Sequence, residues 1–531
     1  MALEIDVELK NYRCFADGDP ARVTIRPGFT ALIGKNNCGK STLLRLFYDC
    51  RNMFAKLADH SMLLGAIDKW QPFDLPTPWL GTAEPLFHDG NDRNIVIGLR
   101  PRDPDWTSGD IAPLLIELEL LRDRNLFRVR LFTRAGNAIT SARSKSTNAN
   151  GILKVNDVIV GRADTLSHVF TTLADTFYIG SFRNAINIGS NETFYDVPVG
   201  QAFIKFWKHM QAGSSKKQGE ATHLLKHDIR KIFEFDELDI VPSENEQTLY
   251  LMINGKQYSL LDVGSGIAHF IMVLATAHNR RPSFILIDEP ELSLHASLQA
   301  DFLQTLAAQA SMGVVFATHN LGLARTVADR IYSVTRDGGQ SFVQPYERTP
   351  SLAEFTGALS FGDRPELGFN RVLLTESPAD GRVVQQFLRQ LGKEHEILAI
   401  PLGGSTLIND KEGTVAQLSE LRRITDRISA LIDSELQGPG ATLDNNRVGF
   451  LDACRRLNIP CHVLERRAIE NYFTAEAIER GIGPGRKALD PFEKLGEKSP
   501  GWPKAQGWRV AREMTLADLK DTDLGSFLAD L

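Results

Sequence analysis

Two sets of residues in the 531-residue chain have the types and spacing to do chemistry. The first begins at residues 34–41, which read Gly34-Lys35-Asn36-Asn37-Cys38-Gly39-Lys40-Ser41. Glycines at this spacing let successive backbone N–H groups turn toward an anion; Lys40 would then reach the β/γ-phosphates of a nucleotide and Ser41 would ligate Mg²⁺. An apolar strand before the loop and an apolar-periodic helix from Thr42 onward supply the context such a loop needs, against the alternative of a chance glycine-rich turn. The apolar run 284–287 ends in Asp288 and Glu289. Asp288 would belong to the Mg²⁺ shell, and Glu289 would orient and deprotonate the attacking water. The bland reading is a strand followed by surface acids. Pro290-Glu291 and a second strand ending in Thr318-His319-Asn320 weigh against it, since His319 would then stand at the γ-phosphate.

The second set has no place in a nucleotide pocket: Glu376, Asp380, Asp433, Glu435 and Glu470. Glu376 ends the apolar run 371–375, Asp380 opens the next helix, and Asp433 and Glu435 follow the run 428–432, spaced to share one side of an extended segment. Acids that converge repel unless divalent cations neutralise them. Hard carboxylate oxygens suit Mg²⁺ or Mn²⁺ rather than zinc, and two such ions about 3.5–4 Å apart can hydrolyse a phosphodiester. Singly, each acid has a duller explanation: Asp380 could simply cap a helix N-terminus.

The elements that must position these residues follow from hydrophobic period and turn chemistry. Segments 3–10 and 21–33 read as strands leading into the loop, and 96–100, 113–120, 126–133 and 153–160 as an antiparallel sheet. Residues 200–235 carry Phe203, Phe206, Trp207 and Met210 at helical spacing and read as a helical insertion broken at Gly213-Ser214-Ser215. Strands return over 237–260 with a turn at Asn254-Gly255. Helix 266–278, strand 283–288, helix 294–310 and strand 313–318 then imply a parallel sheet. Residues 346–369 read as a linker. Beyond it the alternation restarts: strands 371–375, 396–400, 428–432 and 461–464, helices 379–391, 414–424 and 446–457. The expectation is an α/β protein with domains at 1–345 and 370–531.

The first half resembles the ABC-type ATPases, in the branch shared by SMC-like and recombination-mediator proteins. The likeness rests on Asn11-Tyr12-Arg13-Cys14-Phe15, the glycine loop, Asp288-Glu289-Pro290 with Leu294-His295, and His319. It implies a signature loop at Val263-Gly264-Ser265-Gly266-Ile267, where Ser265 and Gly266 would contact nucleotide held by a second subunit. The family's following glutamine is absent, with His269 near its place, and the stretch 178–183 is the candidate for the glutamine loop. Asn36, Asn37 and Thr42 complete the implied nucleotide contacts. ATP sandwiched in this way would require a dimer or tetramer.

The second half resembles a TOPRIM domain, on Glu376, Gly403-Gly404, and Asp433 with Glu435 where the family more often has a second aspartate. Glu465-Arg466-Arg467-Ala468-Ile469-Glu470-Asn471-Tyr472 resembles the segment that supplies a further metal-binding glutamate in OLD (overcoming lysogenization defect) nucleases, with Glu470 preferred to Glu465. That family's C-terminal lysine, which stabilises the scissile phosphate, is matched best by Lys504, ahead of Lys520. Tyr472 reads as packing. ATPase followed by TOPRIM is the order of the OLD family, including the nuclease subunit of Gabija-type phage-defence systems. The resemblance implies a cytoplasmic ATP- and Mg²⁺-dependent ATPase and a Mg²⁺- or Mn²⁺-dependent endonuclease. Nucleotide would gate cleavage, DNA would be the target ahead of RNA, and a defence partner protein could attend. A repair ATPase whose TOPRIM domain does not cut, and a toxin-like regulator that holds and releases a partner, remain open.

Composition bounds these readings. At 43% hydrophobic and 24% charged the chain is ordinary for a globular protein. A net charge of −6 argues against nucleic-acid binding by overall electrostatics, leaving local basic surface or bound metal. Five cysteines without a Cys-x-x-Cys pair fit reduced thiols and no zinc site. Neither a signal peptide nor a membrane span is expected.

Overall fold

The computed structural model describes residues 3–74, 84–102, 115–122, 124–132, 138–139, 145–147, 152–155, 158–181, 193–212, 216–243, 248–260, 262–291, 294, 296–346, 371–394, 396–402, 415, 418–419, 427–497 and 501–531. The chain divides into two compact units, Met1–His319 with Arg330–Tyr346, and Asn320–Asp329 with Glu347–Leu531. The short segment Asn320–Asp329 therefore belongs with the C-terminal unit, although sequence pattern assigned it to the first. All but one residue of the expected linker, and Gly403-Gly404, lie outside the described residues; of the expected helix 414–424 only Val415, Leu418 and Ser419 are described, all helical.

In the first unit a six-stranded sheet runs in the order Thr176–Ile179, Phe284–Asp288, Gly313–Thr318, Gly28–Ile33, Arg330–Asp337, Gln340–Pro345. The first five strands are parallel and the last is antiparallel. Its three central strands are buried at every residue, which is why they read as unbroken apolar runs: a parallel sheet covered on both faces has no solvent side to alternate toward. The register Ala317↔Leu32, Thr318↔Ile33 and Asp288↔Ala317 brings the ends of three strands to one edge.

The expected run 21–33 divides around Pro27, which has no N–H for a ladder. Ala21–Ile25 instead pairs with Glu4–Lys10 in an antiparallel sheet that includes Ile95–Arg102, Leu115–Leu120 and Leu126–Phe132. Here burial alternates along Glu4–Lys10 and Leu126–Phe132, because one face packs on the core and the other is wet. The expected strand 153–160 is two strands, Ile152–Val155 and Val158–Arg162, in a separate three-stranded sheet. The helical insertion is Gly200–Gln211 and Lys216–Ile232. Asn254 and Gly255 both take positive φ, the geometry of a tight hairpin turn.

The second unit holds a four-stranded, all-parallel sheet in the order Ile397–Pro401, Arg371–Thr375, Ile428–Ile432, Cys461–Val463. Parallel strands end on the same edge, so residues just past Thr375 and Ile432 are delivered side by side. Val372, Leu374, Leu398, Ile400, Ala430 and Ile432 build its core with Phe450 and Cys454 of the helix Asn445–Arg456. Among the described residues no helix is long and apolar enough to cross a membrane. All five cysteines are free thiols.

Candidate functional site

The glycine loop spans the gap between the strand Gly28–Ile33 and the helix Lys40–Asp49. Gly39, at φ 106, is the helix N-cap, and a Cβ there would meet Cys14 Sγ at 2.9 Å and Phe15 at 3.2 Å. A Cβ on Gly34 would strike the Val334 carbonyl oxygen at 2.2 Å. Only glycine fits either position. The segment 11–15 explains itself here: Tyr12 and Phe15 are fully buried, and Tyr12 Oη and Arg13 Nη2 both donate to Asp49 Oδ2, at 2.9 and 2.8 Å, tying the segment to the far end of the loop's helix.

Lys40 is buried and folds back on the loop, its Nζ donating to the Gly34 and Lys35 carbonyl oxygens at 2.9 Å each. The ammonium thus sits inside the ring of backbone groups a phosphate would enter. Ser41 hydrogen-bonds Asp288, whose carboxyl burial pushes up to about 6, with that bond and Lys40 pulling the other way and Glu289 and Glu291 adding to the rise. Asp288 Oδ1 is buried without a hydrogen-bond partner. A hydroxyl, an acid with an orphaned oxygen and a nearby lysine form the donor set Mg²⁺–nucleotide takes, so the residues fit that ligand. Asn36 and Asn37 are exposed on the loop, and Thr42 follows Ser41 on the helix.

Glu289 follows at φ 54, left-handed backbone that a non-glycine residue rarely adopts, with its N–H donating to the Ala317 carbonyl. Such local strain concentrates at working sites. His319 ends the neighbouring strand, half-exposed, with Nδ1 3.0 Å from Glu291 Oε1; the same oxygen accepts from Thr318 Oγ1 at 2.7 Å. Glu291, given no role on sequence grounds, thus orients the histidine. Ser265 and Gly266 open the helix Ser265–Arg280, Ser265 exposed at its first turn. His269 is a buried residue of the same helix, near Phe302, and burial holds it down to about 4. Tyr178 lies on the edge strand beside Phe284–Asp288, whereas Arg183 and His295 are outside the described residues.

In the second unit four of the five expected acids gather. Glu376 follows the strand Arg371–Thr375 and accepts from the backbone N–H of Asp433, which follows the adjacent strand Ile428–Ile432. Asp380 caps its helix, with Oδ2 accepting from Ser377 N and Oγ in a capping box, while Oδ1 faces Lys504. Glu470 is buried on a short 3₁₀ turn, and Glu465 is exposed. Lys504 Nζ lies 3.0 Å from Asp380 Oδ1, 3.3 Å from Asp433 Oδ2 and 3.5 Å from Glu470 Oε1. Lys520 is exposed at the end of a different helix.

Electrostatics agree with the geometry. Burial raises Asp433 well above the carboxylate range and raises Glu470 and Glu376, with mutual repulsion adding and the cations opposing. Lys504 moves up, because three acids outweigh its own desolvation. Glu435 is the correction. The strand ends at Ile432, Glu435 takes φ 54, and the chain is no longer extended, so i, i+2 spacing does not align its carboxylate with that of Asp433. It pairs with Arg467 instead, partly exposed.

Sequence pattern missed Arg447. Nearly buried on the helix Asn445–Arg456, it donates through Nη2 to Glu376 at 3.2 Å, through Nε to the Asp433 carbonyl at 2.7 Å and through Nη1 to Asp444 at 2.5 Å. The only hint was Asp444 as helix N-cap three residues earlier. Tyr472 is indeed structural: its hydroxyl donates to Asp523 at 2.6 Å and Arg466 stacks on its ring.

Among the described residues no group of three His, Cys, Asp or Glu side chains is arranged to hold a metal ion. The acids are instead arranged about an ammonium. Every donor is a hard oxygen, so the chemistry fits a divalent cation, while in this arrangement the Lys504 ammonium stands among the oxygens.

A family model described as "AAA domain, putative AbiEii toxin, Type IV TA system" matches residues 29–325, more than half of the chain. The glutathione import ATP-binding protein GsiA of Escherichia coli strain K12 is 38% identical over 63 residues, covering 11% of this chain. The same protein of Shigella flexneri serotype 5b matches equally. The chain spans about a tenth of the length of these curated relatives. Among solved structures, the SMC head domain from Thermotoga maritima is 16% identical, with 65% of this chain and 100% of that one covered and a TM-score of 0.34. The Smc head domain with an extended coiled coil from Pyrococcus furiosus, bound to the C-terminal domain of ScpA, is 12% identical, with 68% and 99% covered and a TM-score of 0.36. At TM-scores this low the architecture rests on the strand order itself.

Proposed function

Since the chain belongs to the AAA-domain family of AbiEii type, a class of ATP-binding ATPases, we propose that it hydrolyses ATP in its first unit and uses nucleotide state to gate metal-dependent cleavage of nucleic acid in its second. In the first unit, Lys40 gives up the Gly34 and Lys35 carbonyls for the phosphates, and Ser41 and Asp288 hold Mg²⁺. Glu289 takes the proton of the attacking water, while Glu291 keeps His319 turned toward the γ-phosphate. Ser265 and Gly266 would meet nucleotide bound by a second copy, so the working form is a dimer or tetramer.

The single observation that carries the nuclease reading is the gathering of Asp380, Asp433 and Glu470 around one point beside Glu376. These acids would hold Mg²⁺ or Mn²⁺, which when bound supplies an activated water and neutralises charge on a phosphodiester. Lys504 is the group nearest to bind the phosphate itself. The activity is that of an OLD-type endonuclease with a TOPRIM domain, in defence against phage, acting on DNA ahead of RNA. Support for gating comes from chain order: His319 is followed directly by Asn320–Asp329, which belongs to the acid-bearing unit.

The test is to incubate the protein with plasmid, linear DNA and tRNA while varying Mg²⁺, Mn²⁺ and ATP. Cleavage lost in Asp433→Ala and altered in Lys40→Ala is the expected result. Cleavage indifferent to ATP and to Lys40→Ala would remove the gating.

A second reading draws on the family description, which names a toxin of a toxin–antitoxin system. In it the ATPase holds and releases a partner protein, and the C-terminal unit binds without cutting, as a repair ATPase with a non-cleaving TOPRIM domain also would. A stable co-purifying protein with no metal-dependent cleavage would favour it.

A further inference from the structure

The three acids nearest Lys504 are 4–6% exposed, whereas the Lys504 side chain is 41% exposed. The three buried carboxylates thus converge on the ammonium of a side chain that reaches solvent elsewhere along its length. Its backbone is well anchored. Lys504 opens a 3₁₀ turn after Pro503, and the carbonyl of Ala505 accepts from the fully buried Arg382 at 3.4 Å. The long stem is the part free to swing, since a lysine carries its charge on four rotatable carbons.

We propose that Lys504 is the resident counter-ion of this acid cluster and a direct intramolecular competitor of the divalent cation. This rests on the metal reading of the same site and adds its regulation. The oxygens that face Nζ, namely Asp380 Oδ1, Asp433 Oδ2 and Glu470 Oε1, are the ones a cation would use. Ammonium and cation cannot hold the same three oxygens together, so the divalent ion enters only with the lysine moved outward. Outward movement carries the ammonium to the solvent side of the acids, where a phosphate of an incoming strand would arrive. Cation entry and lysine release are then one event. The site stays shut and inactive until metal and an anionic ligand are both at hand.

Two measurements test this on the full chain, in the Asp288→Asn background so that Mn²⁺ uptake at the nucleotide site is suppressed. In calorimetric titration with Mn²⁺, replacing Lys504 by Met should tighten binding at least tenfold and enlarge the Mn²⁺-induced rise in Tm. Equal or weaker binding than the parent would overturn the proposal. Amine acetylation read by mass spectrometry avoids any folding defect of the variant: labelling of Lys504 in the parent should rise several-fold on adding Mn²⁺, and unchanged labelling would sink the idea. If neither protein takes up Mn²⁺, the metal reading itself fails. If both take it up equally, only the competition does.

Discussion

Arg447 Nη2 stands 3.2 Å from Glu376 Oε1 while its Nε holds the Asp433 carbonyl oxygen at 2.7 Å, so one guanidinium spans the ends of two adjacent parallel strands. It touches no expected substrate position and acts through the acids it fixes. Groups that orient metal ligands from behind typically matter about 10–100-fold. Arg447→Met is therefore expected to weaken Mn²⁺ binding and metal-dependent cleavage by about that factor, with Arg447→Lys recovering part. Unaltered Mn²⁺ affinity in Arg447→Met would show that Glu376 needs no such support.

The paired acids after Ile287 divide their work, and substitution should separate the roles. Glu289→Gln retains size and hydrogen bonding but cannot accept a proton, so ATP hydrolysis should fall about 100-fold or more with nucleotide affinity preserved. Lys40→Ala should lose nucleotide binding itself. Phosphate release and fluorescent-nucleotide titration read the two effects. Equal loss of binding in both variants would contradict the assignment of Glu289 as base.

Asp288 links stability to pH. Its carboxyl titrates near 6 in the folded protein against an ordinary value of 3.8, burial being the main cause. A raised acid costs stability in its ionised form. The cost is absent below about pH 4, grows as pH rises toward 6, and is full above, up to about 3 kcal/mol for a shift of this size. Asp288→Asn should therefore raise Tm of the nucleotide- and metal-free protein at pH 8, with the gain shrinking as pH falls toward 4. Saturating Mg²⁺–ATP should erase the advantage. A Tm gain that is the same at pH 8 and pH 4.5 would mean that charge burial is not its source.

How much of this was legible in the sequence depended on distance along the chain. Gly34 to Ser41 could be read outright, because local backbone geometry demands those residue types. Asp288, Glu376 and Asp433 were legible as acids ending buried apolar runs, since parallel strands deliver their termini to one edge. Glu470 and Lys504 had no local signal and came only from likeness to a family. Arg447 left no sign of its role: its pairing with Glu376 spans 71 residues and has no period, and the Asp444 cap hinted only at a helix start. Glu435 was misread because spacing assumes extended backbone, and a single left-handed residue cancels it. Asn320–Asp329 was assigned to the wrong unit because what ties it to the second unit is long-range, as in the bond from Arg382 to Asp329, more than fifty positions away.

Arg382 illustrates that last point and carries a stability prediction. Its side chain is fully buried, donating to the Val327 carbonyl and to Asp329 at 2.5 Å each. Removing one partner of a buried ion pair strands the other charge, at a cost of about 3–5 kcal/mol. Arg382→Met should destabilise the C-terminal unit by that order, and Asp329→Asn less, since asparagine still accepts a hydrogen bond. Chemical denaturation followed by circular dichroism gives the comparison; a loss under 1 kcal/mol for Arg382→Met would mean the guanidinium is replaceable by apolar packing.

Glu435 supplies the converse case. It is partly exposed, paired with Arg467, and carried on left-handed backbone just past the strand end. Exposed pairs of this kind contribute about 0–1 kcal/mol. Glu435→Gln should leave Tm within a few degrees and Mn²⁺ affinity within about twofold, whereas Asp433→Asn should abolish uptake at this site. Titration of the two variants side by side decides it. Comparable loss in both would mean that the strand end rearranges when cation enters, bringing the Glu435 carboxylate back toward Asp433 and restoring the role that spacing alone first suggested.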